Sequence, residues 1–188
     1  MRDLVKRNLN GKKVLLLFLL TNIIYVIMLT VTIPKVMSFS GGLKLLDMMP
    51  TGYDADYVNA LLNALGENGR DAYLFNQIPL DMIYPFLFGI SNMLILAYFL
   101  NKLGKIDSYL FYLCFLPLCS GLFDYGENIG IITMLTDYPN NSNMLTQASS
   151  VFSVLKSFST TAYFIILISC LVVWSIRKAF HKNSPSGL

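Results

Sequence analysis

The sequence predicts an all-α membrane protein, with four transmembrane helices in a bundle and both termini cytoplasmic. An amphipathic helical cap is expected on the extracytoplasmic side, between helices one and two. Three observations predict this. Apolar residues make up 55% of the chain and charged residues 13%, roughly half the charged share of a soluble domain, and mean hydropathy is +0.57. Four apolar stretches each reach the length of about 20 residues that a helix needs to cross the hydrocarbon layer. Lys and Arg fall mostly on one side of those stretches, which sets orientation.

The first span covers about residues 14–33, between Lys12-Lys13 and Pro34. It is too long for the apolar region of a signal peptide and has no small-residue cleavage site after it, so it is expected to remain as an anchor. The second covers about 78–100, the third about 109–135 and the fourth about 151–173, before Trp174 and Arg177-Lys178. The chain forms a single membrane domain over 1–188, with cytoplasmic tails at 1–13 and 174–188. Ten basic residues mark the inner side: Arg2, Lys6, Arg7, Lys12, Lys13, Lys102, Lys105, Arg177, Lys178 and Lys182. Three mark the outer side, Lys35, Lys44 and Arg70.

The outer segment, 35–77, is patterned. Gly41-Gly42 and Pro50-Thr51-Gly52 mark turns. Between Asp54 and Leu65 the residues Tyr57, Val58, Leu61, Leu62 and Leu65 recur at helical spacing, with Thr51 or Asp54 to cap the start and Gly66 to end it. Leu43, Leu45, Leu46, Met48 and Met49 form a second short apolar patch.

Ionisable residues inside a span are costly, about 2.5–3.5 kcal/mol each at the centre of a helix, and each is a functional-site hypothesis by default. Four occur: Asp81, Asp124, Glu127 and Lys156. Helical spacing gives every span one polar stripe. Span three carries Ser120, Asp124, Glu127 and Asn128; span four carries Ser149, Ser153, Lys156, Thr160 and Tyr163; span two carries Asp81, Tyr84, Ser91 and Asn92; span one carries Thr21, Asn22, Tyr25 and Thr32. Lipid cannot solvate such stripes, so they turn inward. At about 1.5 Å rise per residue, Asp81, Glu127 and Lys156 reach about 27–28 Å above the cytoplasmic end, Asp124 a turn below, and Asn22 and Asn92 about 12 Å. Three carboxylates against one lysine leave an acidic excess beneath the cap.

The phrases Leu80-Asp81-Met82-Ile83-Tyr84-Pro85 and Phe123-Asp124-Tyr125-Gly126-Glu127-Asn128 resemble motifs of a family of small uncharacterised four-helix bacterial integral membrane proteins. The likeness runs from span one to span four. It implies the fold and, for a bacterial source, the cell inner membrane, and it carries no activity. In architecture alone the chain is similar to the four-helix sterol isomerases and their ligand-binding relatives, whose catalytic histidine has no counterpart here.

Several classes are disfavoured. The only histidine is His181, in the tail, which leaves no histidine-based zinc site. No phosphate-binding loop and no nucleic-acid signature is present. Cys114, Cys119 and Cys170 form no close pair and lie in apolar stretches, where free cysteine is usually buried. No metal and no cofactor is expected. The leading expectation is a lipid-like or amphipathic small-molecule ligand, cationic ligands included, in an acidic pocket formed by Asp81, Tyr84, Asp124, Glu127, Asn128, Lys156 and Thr160. Membrane lipid and a homo-oligomeric partner are the expected associations. Two alternatives stay open: acid–base chemistry on a lipid by Asp124 and Glu127, or a subunit of an oligomeric proton- or cation-coupled transporter. The sequence leaves open whether the protein is an enzyme.

Overall fold

A computed structural model describes residues 2–183. Helices dominate, no strand occurs among the described residues, and four helices are long and apolar enough to cross a membrane. The outer part of the tail expected over 174–188, from 184 on, lies outside the described residues.

A short helix α1, Arg2–Arg7, precedes the first span and buries Val5 against the bundle. Helix α2 runs over Gly11–Met37, and Asn10 caps its start by accepting from the Lys12 amide at 3.0 Å. Its last turns pass through a π-helical stretch, Met28–Thr32, in which the Ile33 amide reaches back to the Met28 carbonyl. Helix α3, Ala55–Ala72, begins where Asp54 accepts from the Tyr57 amide at 2.8 Å. Its helical course breaks at Gly66, at φ 60° and ψ −172°, a backbone region essentially reserved for glycine. A second π-helical stretch, Tyr73–Gln77, leads into α4, Ile78–Lys102. A 3-10 turn over Tyr109–Phe115, capped by Ser108, opens α5, Leu116–Asp137. Helix α6 runs over Asn143–Asn183.

Both π-helical stretches sit just before an Ile-Pro pair, Ile33-Pro34 and Ile78-Pro79. Proline has no amide to give to the preceding turn, and a local π turn is one way a helix absorbs the loss. The two stretches are tied together, since Thr32 Oγ1 donates to Gln77 Oε1 at 2.5 Å.

The apolar core has two parts. One joins Leu45, Leu46, Tyr53, Val58, Leu61, Leu62 and Leu65 of the connecting segment to Ile131 and Met134 of α5. This bears out the apolar periodicity of 54–65, with Asp54 the cap and Gly66 the break. The other gathers Val5, Leu96, Leu100, Ile106, Phe111 and Tyr163 at the opposite end. There, Lys6 donates to Asp107 at 2.6 Å and Arg177 donates to the Leu103 carbonyl at 3.1 Å. Both ends of the described chain therefore share one end of the bundle.

Two boundaries differ from expectation. The fourth helix begins at Asn143, ahead of residue 151. Its polar first turns resemble a loop in sequence, but Thr146, Ser149 and Ser153 are buried against α5 and the connecting segment. The third span opens as a 3-10 turn, with Pro117 in the first turn of the α-helix proper, where a missing amide costs little. Of the cysteines, Cys114 is buried, whereas Cys119 is exposed on the apolar exterior and Cys170 is half-buried.

Candidate functional site

A cavity of about 470 Å³ lies between α2, α4 and α6, closed at one side by α5 and at one end by the connecting segment. That size falls within the range of small-molecule sites. Asp81, Tyr84, Asp124, Lys156 and Thr160 all line it, so five of the seven residues expected to form a pocket do share one. Met28, Leu29, Ile33 and Phe88 supply apolar wall, Ser157 and Thr161 add hydroxyls, and Tyr25 stacks on Tyr84 at 5.4 Å.

The charges are arranged in depth. Lys156 Nζ lies 2.5 Å from Glu127 Oε2 and 3.2 Å from Asp124 Oδ1. Glu127 is 0% exposed and stands behind the wall, holding the ammonium from the protein side. Asp124 meets the same ammonium from the cavity side. One lysine is thus engaged by two carboxylates, and little of its charge remains for the other acids.

Asp81 is in a different position. It is 4% exposed, it lines the cavity, and its Oδ2 has no hydrogen-bond partner. A buried polar atom left in this way costs about 1–3 kcal/mol, and more when charged. Glu127 Oε1 is buried without a hydrogen-bond partner as well, so the acids in and behind this wall are under-satisfied as a group.

Asn128 also stands behind the wall, where its amide nitrogen supports α4. Pro85 has no amide to offer the Asp81 carbonyl four residues back, and Asn128 Nδ2 donates to that carbonyl at 2.9 Å instead. Tyr125 donates to the neighbouring Met82 carbonyl at 2.9 Å. Helix α5 therefore repairs α4 beside the residue that faces the cavity, as membrane helices interrupted by proline require.

Asp47 and Ser120 are among the polar wall residues outside the expected set. Asp47 lies in the connecting segment and accepts from the Tyr73 hydroxyl at 2.8 Å and from Gln77 Nε2 at 3.2 Å. Its signal in the sequence was an acid set inside the apolar patch Leu45, Leu46, Met48 and Met49. Ser120 belongs to the predicted stripe of span three and shares a 2.5 Å hydrogen bond with Thr160. Asn22 and Asn92, expected at one level, part company: Asn22 donates to its own helix at Phe18, while Asn92 accepts from the buried Tyr163 hydroxyl at 2.8 Å.

The connecting segment is bolted to α6. Ser153 donates to the Met49 carbonyl at 2.9 Å, and the Tyr53 amide donates to Ser150 at 2.8 Å. Ser149 donates to the Glu127 carbonyl at 3.1 Å, so Tyr53 donates to Ser149 across their 2.7 Å contact. Burial, reinforced by Glu127, raises the Tyr53 phenol above its ordinary range and keeps that proton in place. A Cβ on Gly130 would stand 2.5 Å from Ser149 Oγ, so the Gly126-x-x-x-Gly130 spacing is what lets α5 and α6 close on each other.

Among the described residues, no group of three or more His, Cys, Asp or Glu side chains is arranged to hold a metal ion. Compared with protein-family models, curated proteins and solved structures, the chain matches none of them, and what stands of the resemblance drawn from its two motifs is a helical protein with four membrane-spanning helices.

Proposed function

We propose that this protein binds an amphipathic, lipid-like small molecule carrying a positive charge, with its head in the cavity between α2, α4 and α6. The observation that carries the reading is the acidic wall: Asp81 and Asp124 line a cavity whose one lysine is engaged by Asp124 and Glu127, and Asp81 is left without a cationic partner. Four acids, Asp47, Asp81, Asp124 and Glu127, stand in or behind the wall with one ammonium, Lys156, which meets only Asp124 and Glu127. An amine or quaternary ammonium head restores that balance. The apolar wall of Met28, Leu29 and Phe88 suits the neighbouring carbons.

The ten-to-three basic bias supports a location with both termini cytoplasmic, the connecting segment as an extracytoplasmic cap, and the cavity in the outer half of the membrane. In a bacterial cell this is the inner membrane.

Native mass spectrometry of the purified protein tests the reading. Wild type is expected to retain a cationic amphiphile, or to take up added hexadecylamine, and Asp81→Asn to lose it. Equal retention by both forms, or uptake by neither, counts against it.

A second reading is acid–base chemistry on a bound lipid. It is favoured by the contrast between Asp124, held by Lys156, and Asp81, unpartnered, in the wall of one cavity. Glu127 lies behind that wall, so Asp81 takes its place beside Asp124 as the second acid. Conversion of lipid by the purified protein, lost in Asp124→Asn, separates this reading from binding alone.

A further inference from the structure

We infer that the ligand is a single-chain amphiphile whose hydrocarbon tail runs from the acidic cavity down a lateral crevice between α2 and α6, into a second, apolar chamber. The inference rests on the head-binding reading above and adds the tail, its path and the class of molecule.

The second chamber holds about 430 Å³ and is walled by the same three helices. Val14, Leu15 and Phe18 come from α2, Asn92 and Phe99 from α4, and Phe164, Leu167 and Leu171 from α6. Its wall is almost wholly apolar. The two chambers abut at an aromatic pair: Phe88 belongs to the acidic one, Phe164 to the apolar one, and their rings lie 6.4 Å apart.

The packing explains why the crevice exists. Helix α2 lies chiefly along α4, while α6 lies chiefly along α5, so α2 and α6 flank α4 without closing over it. A uniform lipid-facing groove would be apolar throughout. This one changes character along its length, from Asp47, Asp81, Asp124 and Lys156 at one end to Leu15, Leu167 and Leu171 at the other. Along α4, Asp81 to Phe99 spans about 27 Å at the helical rise. A charged head and one extended chain match that polarity and that length. Among the described residues, only two polar side chains line the lower chamber: Asn92, which accepts from Tyr163, and Tyr98.

Photocrosslinking of the full-length protein in detergent tests this. The probe is hexadecylamine with a diazirine at the tail end, and its counterpart is hexadecanoate with the same label. The amine is expected to crosslink at Phe164, Leu167 or Leu15, and Asp81→Asn to reduce that labelling roughly tenfold or more, as loss of a charge-assisted hydrogen bond implies. Leu167→Trp, and separately Leu171→Trp, fill the lower chamber and are expected to abolish tail labelling there. Butylamine, too short to reach that chamber, is expected to protect the acidic cavity equally in both variants and in wild type. Tail crosslinks on the outward-facing Leu122 and Ile129 of α5, with labelling still dependent on Asp81, overturn the tail path and leave head binding standing. Equal labelling by amine and carboxylate, unaffected by Asp81→Asn, overturns both.

Discussion

At the scale of single residues, Lys156 is the position on which the others depend. It meets Glu127 at 2.5 Å and Asp124 at 3.2 Å, and none of the three side chains is more than 16% exposed. Removing one partner of a buried pair strands charge, at a cost of about 3–5 kcal/mol. Lys156→Met is therefore expected to lower thermal stability in detergent sharply, and Lys156→Met with Glu127→Gln to recover part of the loss. A Lys156→Met protein as stable as wild type refutes the pairing. The sequence placed Lys156, Glu127 and Asp81 at one depth and Asp124 a turn below by helical rise alone, because period and rise are properties of the backbone. It also pointed to Asp124 or Glu127 as the acid within ion-pair reach of Lys156, and the rotation of α5 against α6 decided that the ammonium meets both.

At the scale of elements, the connecting segment shows how local signals and tertiary contacts divide the work. Asp54 and Gly66 bound the first part of α3 through local rules alone, a side-chain cap and a backbone conformation open only to glycine. Nothing stands within 4 Å of a Cβ built on Gly66, so a substitution there costs backbone strain and no clash. Gly66→Ala is expected to destabilise the protein by about 1–3 kcal/mol, and thermal unfolding in detergent, with ligand retention below the transition, measures it. An unchanged midpoint means that the break at Gly66 is not required. The π-helical turns are different. Pro34 and Pro79 announce an interruption in sequence, but its form is decided by Thr32 meeting Gln77 across two helices.

At the scale of the whole molecule, the short first helix, the 103–108 turn and the last turns of α6 gather at one end of the bundle, while the connecting segment and Arg70, stacked over Tyr138 at 4.3 Å, occupy the other. Basic residues crowd the first end, and positive loops stay in the cytoplasm. In a background with Cys114, Cys119 and Cys170 replaced by Ala, cysteines at the exposed positions Asn101 and Asn63 are expected to label from opposite sides. Asn101→Cys should react only from the cytoplasm and Asn63→Cys only from outside. Labelling of Asn101→Cys from outside reverses the proposed orientation, and with it the half of the membrane that holds the cavity.

The sequence by itself determined the number of spanning helices, the inward stripes of spans two, three and four, the Asp54 cap and the Gly66 break of α3, and the crowding of acids around one lysine. Each of these follows from hydrophobic length, helical period or glycine and proline chemistry, which act within a segment. Only the tertiary structure decided that Glu127 and Asn128 stand behind the wall while Asp47 comes from the connecting segment to join it. It also decided that α2 packs chiefly on α4 and α6 on α5. Those outcomes depend on the rotation and separation of helices, set by contacts such as Gly130 against Ser149 and Asn128 against the carbonyl freed by Pro85. Such contacts join residues far apart in the chain, and no pattern along one helix encodes them.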